Sequence, residues 1–531
     1  MSGNGESLAD KAPNMAPMNR TQPLDADALY RALSARDARF DGRFFTGVTS
    51  TGIYCRPICR VRTPRRENCL FFEHAAQAEQ AGFRPCLRCR PELAPRDRHW
   101  STEDAGDILV RQAAALLDMP ETWNVGVGAP PPLQQLATRL GVGARHIRRL
   151  FEQRMGVSPL QYLQTRRLLA AKQMLADTDL PVAQVALAAG FASLRRFNDA
   201  FVGRYGLNPT QLRHHRSSAA VRGAREPAEV RLSWRPPYRS EELLRFLADR
   251  ALPGLEVVDP LRQTLSRTLR MTARGTTACG WLSMRFDPEH HRVALRVSDG
   301  LHPVWPAVID RVRSALDLDA DPQAIDTVLH PDFPDGDGMR VPGAFDGFEL
   351  AVRAVLGQQV TVAAARTLCL RLLDLLGEPL ADAPPGLQRL FPTPQVLADV
   401  APQVLGGIGI VRQRQQAIQA LARAMADGHL VLDGRADPAA TVRQLEALPG
   451  IGPWTAQYIA MRALRWPDAW PAGDVVLLQA LGLRGLSTAA ARREAERIAR
   501  RWQPWRSYAV IRAWSMPPAF KHSEERPDEQ T

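Results

Sequence analysis

LEALPGIGPWTAQYIAMRAL, residues 445–464, sets a Leu-Pro-Gly-Ile-Gly turn between two helical patterns. Gly450 and Gly452 permit a tight turn whose backbone N–H groups can approach a phosphate with no Cβ in the way. Taken alone, the same letters would serve any helix–helix connection. Asp474, in WPAGDVVLLQAL, stands 22 residues after Gly452 at the start of another helical run. An isolated aspartate at such a place is an N-cap. The pairing of turn and carboxylate is what gives this stretch a possible chemistry.

The rest of the chain sets the setting. At 531 residues it is too long for one core, and several domains are expected. A net charge of +12 and a pI near 9.9 favour an anionic partner. The cations are almost all arginine; lysine occurs only at Lys11, Lys172 and Lys521. No stretch approaches the ~18 apolar residues of a membrane span, and the N-terminus has no signal-peptide core. A reducing cytoplasm is therefore expected. Seven cysteines, five of them between residues 55 and 89, argue for a metal or reactive site over a disulfide framework.

Composition divides the chain. A tail over 1–20 precedes a cysteine-bearing, arginine-rich module at 21–98. Helical patterns with Gly turns fill 99–215, and RSSAAVRGAREPAE at 216–229 reads as a linker. Strand-like pieces such as HRVALRVSDG mark 230–343, helical patterns run over 344–516, and 517–531 is a second tail. The expected fold class is multidomain and mainly α. It has an α+β cysteine module, an α+β subdomain and, as the cysteine spacing and the resemblances given below imply, zinc in the first, a tandem helix-turn-helix domain and a helix-hairpin-helix core.

WRPPY, FDGFELAVRAVLGQQV, FPTPQVLA, the 445–464 hairpin and RWQPWRSYAVIRAW together resemble the helix-hairpin-helix DNA glycosylases of the 3-methyladenine glycosylase II (AlkA) type, over about 230–516. The resemblance implies that an alkylated base is flipped into a pocket and that Asp474 stabilises the oxocarbenium-like sugar. Pocket residues matching the family are Phe246, Trp454, Tyr458 and Trp514, whose rings can stack on a base that alkylation has made cationic. Gln359 stands where the family usually has a leucine wedge, and Ala472 and Gly473 stand where relatives often carry another acid. A strand-cleaving glycosylase needs an amine for a Schiff base. No lysine lies between Lys172 and Lys521, and Trp454 occupies the hairpin position where lyase-competent relatives have lysine. Base removal without strand cleavage is expected.

Cys55 and Cys59 are spaced C-x3-C, and Cys86 and Cys89 C-x2-C, a set of four thiolates suited to one tetrahedral Zn2+. Cys69 falls outside the spacing. Arginines crowd both pairs, with Arg56 and Arg60 the first candidates for DNA contact. FDGRFFTGVTSTGIYCRPICRVRTPRREN and AGFRPCLRCRPE resemble the N-terminal domain of the Ada alkylation-response proteins over 38–92. That resemblance implies that Cys55 accepts a methyl group from a DNA methylphosphotriester, with Cys59, Cys86 and Cys89 completing the cage. Methylation would remove one negative charge beside the DNA, a relief of roughly 1–3 kcal/mol at ~6 Å.

PLQQLATRLGVGARHIRRLFEQRMG places Arg145, His146, Arg148 and Arg149 on the early turns of a second helix. PVAQVALAAGFASLRRFNDAFVGRYGLNPTQLR repeats the plan with Ser193, Arg195 and Arg196. Over roughly 130–213 the pair resembles AraC-type activators, which implies two helices in successive major grooves. The combined expectation is an alkylation-damage response protein. It would act as a monomer on alkylated and promoter DNA, with RNA polymerase as a further partner. The alternative is a methylation-sensing regulator whose glycosylase half is inactive.

Overall fold

The computed structural model describes residues 26–95, 105–120, 123, 130–178, 180–213, 229–273, 275–434, 436–483 and 486–516. Residues 1–20, 216–228 and 517–531, read above as tails and linker, lie outside them. Two compact units divide the chain. One takes in the described residues up to 236 with 270–313 and 318–320; the other takes in 237–269, 314–317 and the residues from 321 onward. The division runs through the strand-rich stretch. No helix among the described residues is long and apolar enough to cross a membrane.

In the first unit, α1 (Ala26–Ala35) precedes a four-stranded sheet built from β1 (Phe45–Val48), β2 (Ile53–Cys55), β3 (Cys69–Phe72) and, after α2 (Ala75–Gln80), β4 (Arg84–Pro85). Strand order is β3-β1-β2-β4, with β1 antiparallel to β2 and β3 and with β4 joining β2 in parallel. Tyr54 lies opposite Pro85, so Cys55 and Cys86 leave neighbouring strands at the same level. This register brings together two cysteine pairs that are distant in sequence.

Helices α3 (Ala105–Asp118), α4 (Pro132–Arg139), α5 (Ala144–Met155), α6 (Pro159–Asp177), α7 (Val182–Ala188) and α8 (Leu194–Tyr205) follow. The repeat seen in the sequence has a packing basis. α5 buries Ile147, Phe151 and Met155, and α8 buries Phe197, Phe201 and Tyr205, each at i, i+4, i+8. The opposite faces stay in solvent, leaving Arg145, His146, Arg148, Arg149, Arg195 and Arg196 exposed. The Ser193 hydroxyl caps α8 by accepting from the Arg196 amide.

The chain continues through β5 (Glu229–Ser233), α9 (Ser240–Ala248), β6 (Glu256–Asp259), β7 (Thr264–Ala273), β8 (Thr276–Asp287) and β9 (Arg292–Val297). β9 lies between β5 and β8, antiparallel to both, and β6 forms an antiparallel pair with the start of β7. After α10 (Trp305–Ala315) and α11 (Pro322–Leu329) the second unit becomes helical. Its helices are α12 (Gly347–Leu356), α13 (Val362–Leu376), α14 (Pro394–Asp399), α15 (Pro402–Gly407), α16 (Arg412–Ala426), α17 (Pro438–Glu446), α18 (Pro453–Arg462), α19 (Val475–Ala480), α20 (Thr488–Ala499) and α21 (Arg506–Ser515).

α12 is the centre of this unit. Every residue of it except Arg353 is buried, and it packs against α13, α16 and α18. A helix enclosed on all sides must satisfy its charges internally. Glu349 does so by pairing with Arg267 at 2.7 Å and Arg353 at 2.6 Å, and both arginines also reach Glu256. α17 and α18 pack as the hairpin, and α19 packs on α21. Those two contacts position the residues described next.

Candidate active site and four-cysteine centre

Asp474 is the N-cap of α19, its Oδ1 accepting from the Leu477 amide at 2.8 Å. The N-cap role is therefore present in the carboxylate singled out from the sequence. Trp454, on the first turn of α18, donates its indole N–H to Oδ2 at 2.9 Å; Trp514, near the end of α21, donates to Oδ1 at 2.9 Å. Three N–H groups from three helices thus fix the carboxylate, which keeps 8% of its surface exposed. The residues that follow it, Val475 and Val476, lie open to solvent.

The four aromatic residues expected from the sequence come together around it. The rings of Trp454 and Tyr458 are stacked at 5.3 Å with 12° between their planes. Tyr458 lies 6.2 Å from Trp514, which is parallel to Phe246 within 3° at 6.5 Å. All four keep partial exposure. The structure adds two cations that were not expected. Arg250 sits 3.7 Å from the Phe246 ring centre, and Arg462 lies 5.0 Å from Phe246 and 5.4 Å from Tyr458. The cation–π capacity of Phe246, expected to serve a cationic base, is thus engaged by the protein's own guanidinium groups.

Arg462 is also a brace. It donates to the Pro342 carbonyl at 2.8 Å, to the Gly343 carbonyl at 3.3 Å and to the Tyr458 hydroxyl at 2.5 Å. Burial raises the Tyr458 phenol, but Arg462 and Arg250 outweigh it and leave it below its ordinary value. The spacing of Tyr458 and Arg462, i and i+4 on α18, is visible in the sequence; their convergence with Phe246 of α9 is not.

At the hairpin the two glycines differ. Gly450 has φ +78°, and a Cβ there would meet the Ala417 methyl at 3.0 Å. Gly452 is extended, with nothing within 4 Å of a Cβ, so the turn itself does not demand glycine at that position. Gln358 ties the α12–α13 turn to the hairpin by donating to the Gly450 carbonyl and the Thr455 hydroxyl, both at 2.9 Å. Its neighbour Gln359, at φ +55°, is exposed at the tip of that turn.

In the first unit the sulfurs of Cys55, Cys59, Cys86 and Cys89 all lie within 4.8 Å of one another. Four sulfurs at ~2.3 Å from a shared tetrahedral ion would stand roughly 3.8 Å apart, so the set fits zinc. Cys69 lies apart, buried, its thiol donating to the Arg65 carbonyl. A pocket of about 290 Å3, solvent space at its mouth included, opens beside Cys55 and Cys59, between Leu33, Val48 and Val61.

Arg56 corrects a sequence expectation. It is 3% exposed, paired through both Nε and its terminal nitrogen with Asp41, and it donates to the Cys89 carbonyl at 3.0 Å. A guanidinium so enclosed braces the cage and does not face DNA. Arg60 is exposed, as expected of a contact residue. Lys172 on α6 was missed as a structural element. It is buried, donating to Glu92 at 2.7 Å and to the Cys86 carbonyl at 3.4 Å.

Comparison with known proteins agrees with this arrangement. Family profiles match in four successive blocks: the metal binding domain of Ada over 28–92, a helix-turn-helix domain over 136–215, the AlkA N-terminal domain over 229–346, and the HhH-GPD superfamily base excision DNA repair protein over 352–504. The probable bifunctional transcriptional activator/DNA repair enzyme AlkA of Mycobacterium tuberculosis is 38% identical over 501 residues, covering 92% of this chain and 96% of that protein. DNA-3-methyladenine glycosylase 2 of Escherichia coli is 36% identical over 53% of this chain and 95% of its own length. The bifunctional transcriptional activator/DNA repair enzyme Ada of the same organism is 32% identical over 40% of this chain and 56% of its own length. With the four-cysteine module, the paired helix-turn-helix units and the hairpin-plus-aspartate core in one polypeptide, the chain belongs to the family of bifunctional transcriptional activator/DNA repair enzymes called AlkA.

Proposed function

We propose that the protein senses DNA alkylation through Cys55, activates transcription through α5 and α8, and removes alkylated bases at Asp474 by hydrolysing the N-glycosidic bond. The observation that carries the glycosylase reading is the carboxylate held by two indoles of an aromatic pocket. Asp474 would face the sugar of an extruded nucleotide and stabilise positive charge at C1′ as the bond to the base breaks. Trp454, Tyr458, Trp514 and Phe246 would enclose the base. Gly450, Gly452 and Gln359 would meet the DNA backbone and the vacated stack. With no lysine between Lys172 and Lys521, the product is an abasic site and an intact strand.

Zinc held by Cys55, Cys59, Cys86 and Cys89 would keep the acceptor sulfur anionic. The Cys55 sulfur takes the methyl carbon of a phosphotriester as the carbon–oxygen ester bond breaks, and the electron pair stays on the phosphate oxygen. Arg60 supports approach to that phosphate. The exposed Arg145, His146, Arg148, Arg195 and Arg196 would read promoter DNA, with RNA polymerase as the next partner, the chain acting as a cytoplasmic monomer.

Release of 3-methyladenine from methylated DNA by the wild type and by Asp474→Asn tests the glycosylase. Free base from the wild type, little from the variant, and no strand break before alkali are expected. An inactive wild type would leave a regulator alone. Intact-mass measurement after incubation with methylated DNA should add one methyl to the wild type and none at position 55 in Cys55→Ala.

A further inference from the structure

We infer that Arg492 is a phosphate anchor for the extruded nucleotide, paired with the glycine that precedes the catalytic aspartate. This rests on the reading that Asp474 faces a nucleotide sugar. Arg492, on α20, lies flat over Gly473: a methyl group on residue 473 would stand 2.9, 3.1 and 3.3 Å from the terminal nitrogen, Nε and central carbon of its guanidinium. The guanidinium therefore packs against Gly473, one residue from Asp474, and would have to shift to admit a side chain there.

Its charge is uncompensated. Arg492 is exposed and has no hydrogen-bond or ion-pair partner among the described residues. The acids of its own helix are committed elsewhere, Glu494 to Arg497 at 2.6 Å and Glu496 toward Arg506 at 4.0 Å. The oxygens of Asp474 are taken by Trp454, Trp514 and the Leu477 amide.

A carboxylate that faces C1′ must come close to the phosphates on either side of the same sugar, and like charges repel. A free guanidinium fixed beside that carboxylate answers the repulsion with a bidentate donor of phosphate-matching geometry. An acidic side chain at position 473 would shift the guanidinium from this place and pair with it, neutralising its charge. The chain has glycine there.

The test uses the full chain and two duplexes, one carrying a tetrahydrofuran abasic analogue and one undamaged. The ratio of their dissociation constants cancels the contribution of the helix-turn-helix units. In Arg492→Gln the preference for the analogue should fall about 5- to 10-fold at low salt, with the gap closing as salt rises. Arg492→Lys should keep most of the preference. Gly473→Asp, with Arg492 intact, should lose it as Arg492→Gln does. An unchanged preference in Arg492→Gln, or a wild-type preference in Gly473→Asp, would overturn the assignment. Failure of the wild type to release any base would instead remove the glycosylase reading, because analogue binding is measured without turnover.

Discussion

Trp514 donates its indole N–H to Oδ1 of Asp474 at 2.9 Å. The same residue is thus part of the aromatic cluster and a holder of the carboxylate, so on the proposed reading recognition and chemistry share one side chain. Trp514→Phe keeps an aromatic ring and removes the donor. A hydrogen bond to a charged group contributes roughly 1.5–3 kcal/mol. Single-turnover base release should fall about 10- to 100-fold, with affinity for abasic-analogue DNA little changed. Equal losses in rate and affinity would assign Trp514 to binding alone.

The four-sulfur centre predicts one zinc per chain. Cys86→Ala should bring the metal content, read by mass spectrometry of the digested protein, well below one, while Cys69→Ala leaves it unchanged. A structural zinc supplies on the order of 10–16 kcal/mol to a small domain. Strong chelation should therefore open the module at 26–95 to protease. Resistance of that module to protease after complete metal loss would refute the cage as its stabiliser.

Legibility in the sequence followed the physical range of each interaction. The buried stripes of Ile147 on α5 and of Phe197 and Phe201 on α8 follow helical spacing, since burial there depends on the residue's own helix face. The cysteine set was readable because ligand spacing is chemistry written in the chain. The fate of Arg56 was not, because its partner Asp41 comes from another loop and nothing local distinguishes a buried arginine from an exposed one. Asp474 looked like either a cap or a catalyst. The convergence of α18 and α21 on that capping carboxylate is set by packing far from residue 474, so the two indole donors were not readable locally.

Gly450 and Gly452 should separate fold from function. Gly450→Ala meets a left-handed backbone and the Ala417 methyl at 3.0 Å, so it should cost about 1–2 kcal/mol of stability in the C-terminal half. Gly452→Ala, in open space, should change stability by less than about 0.5 kcal/mol. It should nonetheless weaken DNA binding, because the added methyl stands where a phosphate would approach the helix. Denaturant unfolding and DNA titration of the two variants check both halves of the statement. A destabilised Gly452→Ala with normal binding would reverse the roles.

Glu79 makes the pH dependence of the first unit predictable. Its carboxyl is buried, accepting from the Tyr54 and Thr165 hydroxyls at 3.0 Å each and pairing with Arg204 of α8 at 3.3 Å. Burial pushes it up to about 7, against the pull of Arg204, Tyr54, Thr165 and Lys172. A carboxyl raised in the folded state favours folding in its neutral form. Its contribution is complete below the unfolded value near 4.5 and is lost as pH rises through about 7. Between pH 5 and pH 8 the loss approaches about 3 kcal/mol. Glu79→Gln cannot ionise, so its stability should change less over that range than the wild type's, by up to that amount. Comparing the two proteins removes the opposite trend from the cysteine thiolates, which is common to both. If the variant and the wild type lose stability in parallel from pH 5 to pH 8, Glu79 is ionised throughout, and the link from Tyr54, beside Cys55, to Arg204 on α8 is an ordinary ion pair.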